Sequence, residues 1–146
     1  MKRLKRLKPV EEFTAGKESA AAKVLNELSG KIQAAQHQLQ ELQRFREQYA
    51  AQFHQQNRLV SGLQIKEYQA FLAKLGSGIK AQEEKLSQLR QEFAAARQHW
   101  QEAYCRHKGI QKVRDNLQRR SRILTEQALQ REMDDLAGRK KRSRSK

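Results

Sequence analysis

The sequence predicts an all-α fold: two long helices joined by a short turn and zipped together as an antiparallel coiled-coil hairpin. Three observations carry this expectation. Ala, Gln, Leu, Glu, Lys and Arg dominate, with one proline and seven glycines in 146 residues, which is the composition of long helices. Apolar residues recur at alternating spacings of three and four, the signature of a heptad seam. The hydrophobic fraction of 37% and mean hydropathy of −1.00 are too meagre for a globular core and suffice only for a stripe.

Residues 1–8 read as a basic arm. Pro9, followed by Glu11 and Glu12, suits the first turn of a helix, where a missing N–H costs little and carboxylates face the positive end of the dipole. The first helix is expected over 9–57. Its seam runs Leu25, Leu28, Ile32, Ala35, Leu39, Leu42, Arg46, Tyr49, Phe53, with one charged interruption. The pattern breaks at "NRLVSGLQ", residues 57–64. There Ser61 and Gln64 have the form of a capping box and Gly62 loosens the backbone, so a turn is expected.

The second helix is expected over 64–138. Tyr68, Leu72, Leu75, Ile79, Gln82, Leu86, Leu89, Phe93, Ala96, Trp100, Ala103, His107, Ile110, Arg114, Leu117, Ser121, Leu124 and Ala128 keep one register. Gly76-Ser77-Gly78 predicts local softness without a chain reversal. A short connection makes the helices antiparallel neighbours. Helices of about 48 and about 75 residues would span roughly 70 Å and roughly 110 Å, so the second is expected to lose its partner near residue 110. For the overhang, two readings stand: a strip of leucines broken by cations that fits an acidic, partly apolar groove, or a solvated helix that frays. Residues 139–146, "RKKRSRSK", are expected to be a disordered basic tail.

The net charge of +15 and pI near 10.4 imply an acidic partner, whether nucleic acid, anionic membrane or protein surface. The opening "MKRLKRLK" resembles the basic end of a signal peptide, but acids and polar residues follow instead of an apolar stretch, so a cytoplasmic chain is expected. No run approaches the roughly 18 apolar residues needed for a transmembrane segment. Cys105 is the single cysteine and has no internal disulfide partner.

Nothing points to catalysis or to a cofactor. Cys105 and His107 point about 200° apart on a helix and no further ligand completes a metal site. His37, His54 and His99 lie among Gln and Arg, as solvated helix positions do. There is no glycine-rich phosphate loop followed by Lys-Ser or Lys-Thr, so any ATP hydrolysis belongs to a partner. A helical rod also lacks a concave pocket from which water could be excluded.

With the seam written as a and d, Phe71 and Phe45 both fall at g. In an antiparallel pair the g flanks lie on one side, so the two rings are expected to share a face near the turn, with Gln38 and Gly78 at neighbouring g positions. The face is either a docking patch, with Leu42, Tyr49 and Leu75 just behind it, or a widening of the hairpin's own core.

At "RFREQY" (44–49), "YQAFLAKLGSGIKAQ" (68–82), "RQHWQEAY" (97–104) and "DDLA" (134–137), in this order and spacing, the chain resembles the flagellar export protein FliJ family of the flagellar type III secretion apparatus. The likeness extends from "PVEEFTAGKESAAAKVL" to "MDDLAG". The resemblance implies an antiparallel two-helix coiled coil, similar to the paired helices of the γ stalk in rotary ATPases. It implies binding to the export ATPase FliI with promotion of ring assembly, contact with the cytoplasmic domain of the export gate FlhA, and a helper role toward export chaperones. The location it implies is cytoplasmic, peripheral at the cytoplasmic face of the inner membrane.

By position, the family's gate-binding surface falls on Gln38, Leu42, Phe45, Tyr49, Phe71, Leu75, Gly78 and Gln82. Phe45 and Gly78 depart from the Tyr and the better helix former that other members often carry. The ends far from the turn are expected to approach the ATPase ring, through Arg106, Lys112, Arg114, Leu117, Arg119, Arg120 and Leu124. Two alternatives compete. One is a basic coiled-coil nucleic-acid-binding protein, against which a turn here splits two seams where a basic zipper needs a continuous parallel one. The other is the stalk of an injectisome, which shares the architecture.

Overall fold

The computed structural model describes residues 2–55 and 61–144. Two helices account for them: α1, Lys2–Gln55, and α2, Gly62–Arg144. They pack against each other antiparallel, as the seam predicts. Much of the turn expected over 57–64 lies outside the described residues. Its far edge is visible: the Ser61 N–H donates to Gln64 Oε1 at 3.0 Å and the Gln64 N–H to Ser61 Oγ at 3.3 Å. This reciprocal pair satisfies donors that a helix start leaves without an intrahelical acceptor.

The helix bounds differ from the expectation at both termini. α1 starts at Lys2, with Pro9 inside it. The reason is that Leu4 and Leu7 continue the seam spacing through Glu11, Thr14 and Glu18, and all five are half-buried. Pro9 itself is exposed, so water can reach the Lys5 carbonyl that loses its donor. At the other terminus α2 runs on to Arg144, where a disordered tail over 139–146 was expected. Lys and Arg are good helix formers, and neither Pro nor Gly follows Gly138 to stop the helix. Residues 145–146 of that tail lie outside the described set.

The chain divides into two units. One comprises residues 21–100. Its core is a line of small and branched side chains, Ala21, Ala35, Ile79 and Leu86, each no more than 6% exposed. Leu25, Leu28, Ile32, Leu39, Leu42, Leu72, Leu75, Leu89 and Phe93 are half-buried around them, while Arg46, the charged interruption, is exposed. The backbone stays helical through Gly76 and Gly78, and no glycine has positive φ among the described residues.

The other unit pairs residues 1–20 with 101–146. Here the α2 seam stays half-buried through Ala103, His107, Ile110, Arg114, Leu117 and Ser121. It ends there, because Leu124 is 66% exposed and everything described from Arg122 to Arg142 is exposed. The unaccompanied part of α2 therefore begins after Ser121, about three turns later than the expected residue 110, because α1 reaches back to Lys2.

Candidate functional site

In the unit 21–100, aromatic side chains alternate between the helices to form a ladder. Phe53 of α1 stacks on Tyr68 of α2 with centroids 3.7 Å apart and planes at 8°. Tyr68 faces Tyr49 at 5.4 Å, and Tyr49 meets Phe71 at 4.5 Å and 52°. Phe71 in turn receives Phe45 edge-on at 6.1 Å, and Phe45 lies 6.4 Å from Tyr49. Offset and edge-to-face pairs of this kind contribute about 0.5–1.5 kcal/mol beyond area burial.

The ladder separates the two readings of Phe71. That ring is half-buried, wedged between Phe45 and Tyr49, and thickens the seam. Phe45 at the end of the ladder keeps 49% of its surface in solvent. One ring is packed on both sides and the other is half in solvent.

The remaining residues of the expected gate surface differ in exposure. Leu42, Tyr49 and Leu75 are half-buried, and Gln38 and Gly78 are exposed. Half-buried Gln82 donates its amide to the Ala35 carbonyl at 3.2 Å and to Gln38 Oε1 at 3.0 Å. Ala35 is small enough to let a glutamine at a seam position reach across to the opposite backbone. At Gly78 an added Cβ would meet nothing within 4 Å, so this spot is an open step in the face.

In the other unit the seam is polar where His107 and Arg114 replace apolar residues. Thr14 Oγ1 donates to the Glu11 carbonyl at 3.0 Å and lies 2.9 Å from His107 Nδ1. The direction of the Thr14–His107 bond follows the imidazole tautomer, and in either case the ring is tied to α1 through Thr14. Arg114 Nη1 pairs with the Glu11 carboxylate, and Nη2 reaches Asp115 Oδ1 at 3.3 Å. Arg114 Nε is buried without a partner among the described residues, so the guanidinium is held by two of its three nitrogens.

This arrangement sorts the residues expected to approach an ATPase ring. Arg114 is engaged with Glu11 and Leu117 is half-buried in the seam, so both face inward. Arg106, Lys112, Arg119, Arg120 and Leu124 are exposed. The heptad count missed a further set: Leu129, Met133 and Leu136, 56%, 66% and 58% exposed, spaced i, i+4, i+7 on one face of the unaccompanied helix. Their signal was present in the sequence. Continuing the seam register past Leu124 to Ala128 hides it, because the apolar stripe moves one position to Leu129 once no partner helix holds the register.

The grooves beside the seam, such as the one lined by Leu39, Glu83, Leu86, Ser87, Arg90 and Ala94, are open to solvent. A groove of this kind suits contact with another surface better than water-excluded chemistry.

Comparison with known families and proteins gives one positive finding. The family described as Flagellar FliJ protein matches residues 2–146. Searches of the curated proteins and of the solved structures return no match. The family match covers nearly the whole chain, including both helices, the aromatic ladder and the cationic end of α2, and the chain belongs to the flagellar FliJ family, a component of the flagellar protein export apparatus.

Proposed function

We propose that the chain is a stalk-like adaptor of flagellar protein export, which binds the export ATPase FliI at the far part of α2 and the cytoplasmic domain of the gate FlhA at the aromatic ladder. In this reading it promotes ring assembly, couples the ring to the gate, and helps cycle export chaperones at the cytoplasmic face of the inner membrane. The observation that carries the reading is the half-exposed Phe45 at the end of a ladder whose other rings are packed. An aromatic held rigid by its neighbours and left in water is the kind of side chain that anchors an interface.

The gate surface comprises Gln38, Leu42, Phe45, Tyr49, Phe71, Leu75, Gly78 and Gln82, with Phe45 as the contact residue and Phe71 and Tyr49 as its support. The ring surface comprises the exposed Arg106, Lys112, Arg119, Arg120 and Leu124, extended by Leu129, Met133 and Leu136. Arg114 and Leu117 serve it indirectly, by holding α2 against α1.

A pull-down of the purified chain with export ATPase, gate domain and duplex DNA at matched ionic strength tests the proposal. Retention of ATPase and gate domain is expected, with DNA lost as salt rises in the manner of charge-only binding. Sequence-selective DNA binding that survives about 0.15 M salt, without either protein, would overturn it.

A further inference from the structure

Lys2, Arg6, Val10, Phe13 and Lys17 fall within one third of the α1 circumference, on the side turned away from α2. Every one of them is exposed, whereas Leu4, Leu7, Glu11, Thr14 and Glu18 at the seam positions are half-buried. Phe13 keeps 64% of its surface in water and Val10 keeps 43%. The ring belongs neither to the seam nor to the aromatic ladder, and the Lys17 ammonium lies 5.3 Å from its centroid.

The acids of this stretch are elsewhere. Glu11 and Glu18 point into the seam, Glu11 onto Arg114, and Glu12 lies about 120° around the helix from the centre of the face. The face is thus an apolar island bounded by cations before and after it along the axis, with no carboxylate.

We propose that this face of α1 docks on the headgroup layer of an anionic lipid bilayer. A single helix side is convex, so it fits a flat, deformable surface without needing a shaped groove. Lysine is depleted from protein–protein interface cores, yet here Lys and Arg form part of the face. A bilayer accepts that composition: the cations reach lipid phosphates while the phenylalanine enters the boundary between headgroups and acyl chains. The unit that carries the face has the charge for it, since residues 1–20 and 101–146 hold 20 of the 31 Lys and Arg but nine of the 16 Asp and Glu. No described helix is long and apolar enough to cross a membrane, so the contact is one that lies on the surface. The inference stands apart from the gate and ring contacts, which use other residues.

Vesicle sedimentation with the full chain tests it. At about 0.15 M salt the chain should sediment with vesicles containing about 30 mol % phosphatidylglycerol and remain in solution with phosphatidylcholine alone. Phe13→Ala should weaken partitioning about fivefold, and Arg6→Gln with Lys17→Gln by at least as much, with circular dichroism unchanged. Phe13→Trp should add an emission that brominated acyl chains quench, over the Trp100 signal of the parent chain. Equal partitioning by Phe13→Ala, equal binding to neutral vesicles, or an unquenched Phe13→Trp signal would each overturn the proposal. So would tighter binding to duplex DNA than to anionic vesicles at the same salt. Retained ATPase stimulation by Phe13→Ala supports a lipid role separate from the ring, and loss of that stimulation without loss of vesicle binding would assign Phe13 to the ring and overturn it.

Discussion

Phe71 and Phe45 hold the same heptad position on opposite helices and do different things, and the difference can be measured at each side chain. Phe71→Ala removes a ring packed against Tyr49 and Phe45 and should cost about 2 kcal/mol in a urea melt. Phe45→Ala removes a half-exposed ring and should cost under about 1 kcal/mol. Register alone placed both rings on one face. It could not tell them apart, because the choice depends on how Tyr49 and Tyr68 stack, which is a matter of side-chain rotamers and not of spacing. Arg114 shows the same limit. Its seam position was legible, but its pairing with Glu11 was not, since the second helix was expected to lose its partner near residue 110. Glu11→Ala should destabilise the chain by about 1–3 kcal/mol by leaving the half-buried guanidinium with Asp115 alone, whereas Glu11→Leu with Arg114→Leu should recover most of that loss. Equal melts for the single and double variants would show that the pair is solvated and of no structural consequence.

At the level of the helix, the start of α1 combines three unfavourable features. Pro9 inside a helix costs about 3 kcal/mol, there is no acid in the first turn, and Lys2, Arg3, Lys5, Arg6 and Lys8 crowd the positive end of the dipole. Only Leu4 and Leu7 offset them, each half-buried. Amides 3–8 should therefore exchange with solvent far faster than those around Ala35 and Ile79, and Pro9→Ala should slow them. Uniform protection along α1 would contradict this. Proline favours a first helical turn, and here the longer seam prevails over that preference. In α2 the opposite correction is available: Gly76 and Gly78 leave open space where a Cβ would stand, so replacing both with alanine should raise stability by about 1 kcal/mol each. A loss of stability would mean that the helix needs its softness there. The extent of the second seam was legible to Ser121, because its half-buried positions follow the three-four count without a slip. Where it ended was not, because that depends on the length of the other helix.

For the whole molecule, membership of a flagellar export family and a surplus of cations fit a protein that spends its apolar residues on one seam and offers the remainder to other components. The hairpin and its family were legible because a sustained heptad pattern and motif order survive in a single sequence. The proposed contact residues rest on position alone, since an exposed side chain leaves no trace in periodicity. Removing residues 122–146 takes away the part of the chain beyond the half-buried seam, so the shortened chain should melt like the parent, keep gate binding, and lose stimulation of the export ATPase. Normal ring assembly by that truncation would move the ring contact elsewhere. The most direct test of the stalk reading is a calorimetric titration of the export gate's cytoplasmic domain with the parent chain and with Phe45→Ala. The account predicts an affinity reduced about tenfold or more, with helix content and melting preserved, as for loss of an interface anchor. An unchanged affinity in a normally folded Phe45→Ala chain would contradict it.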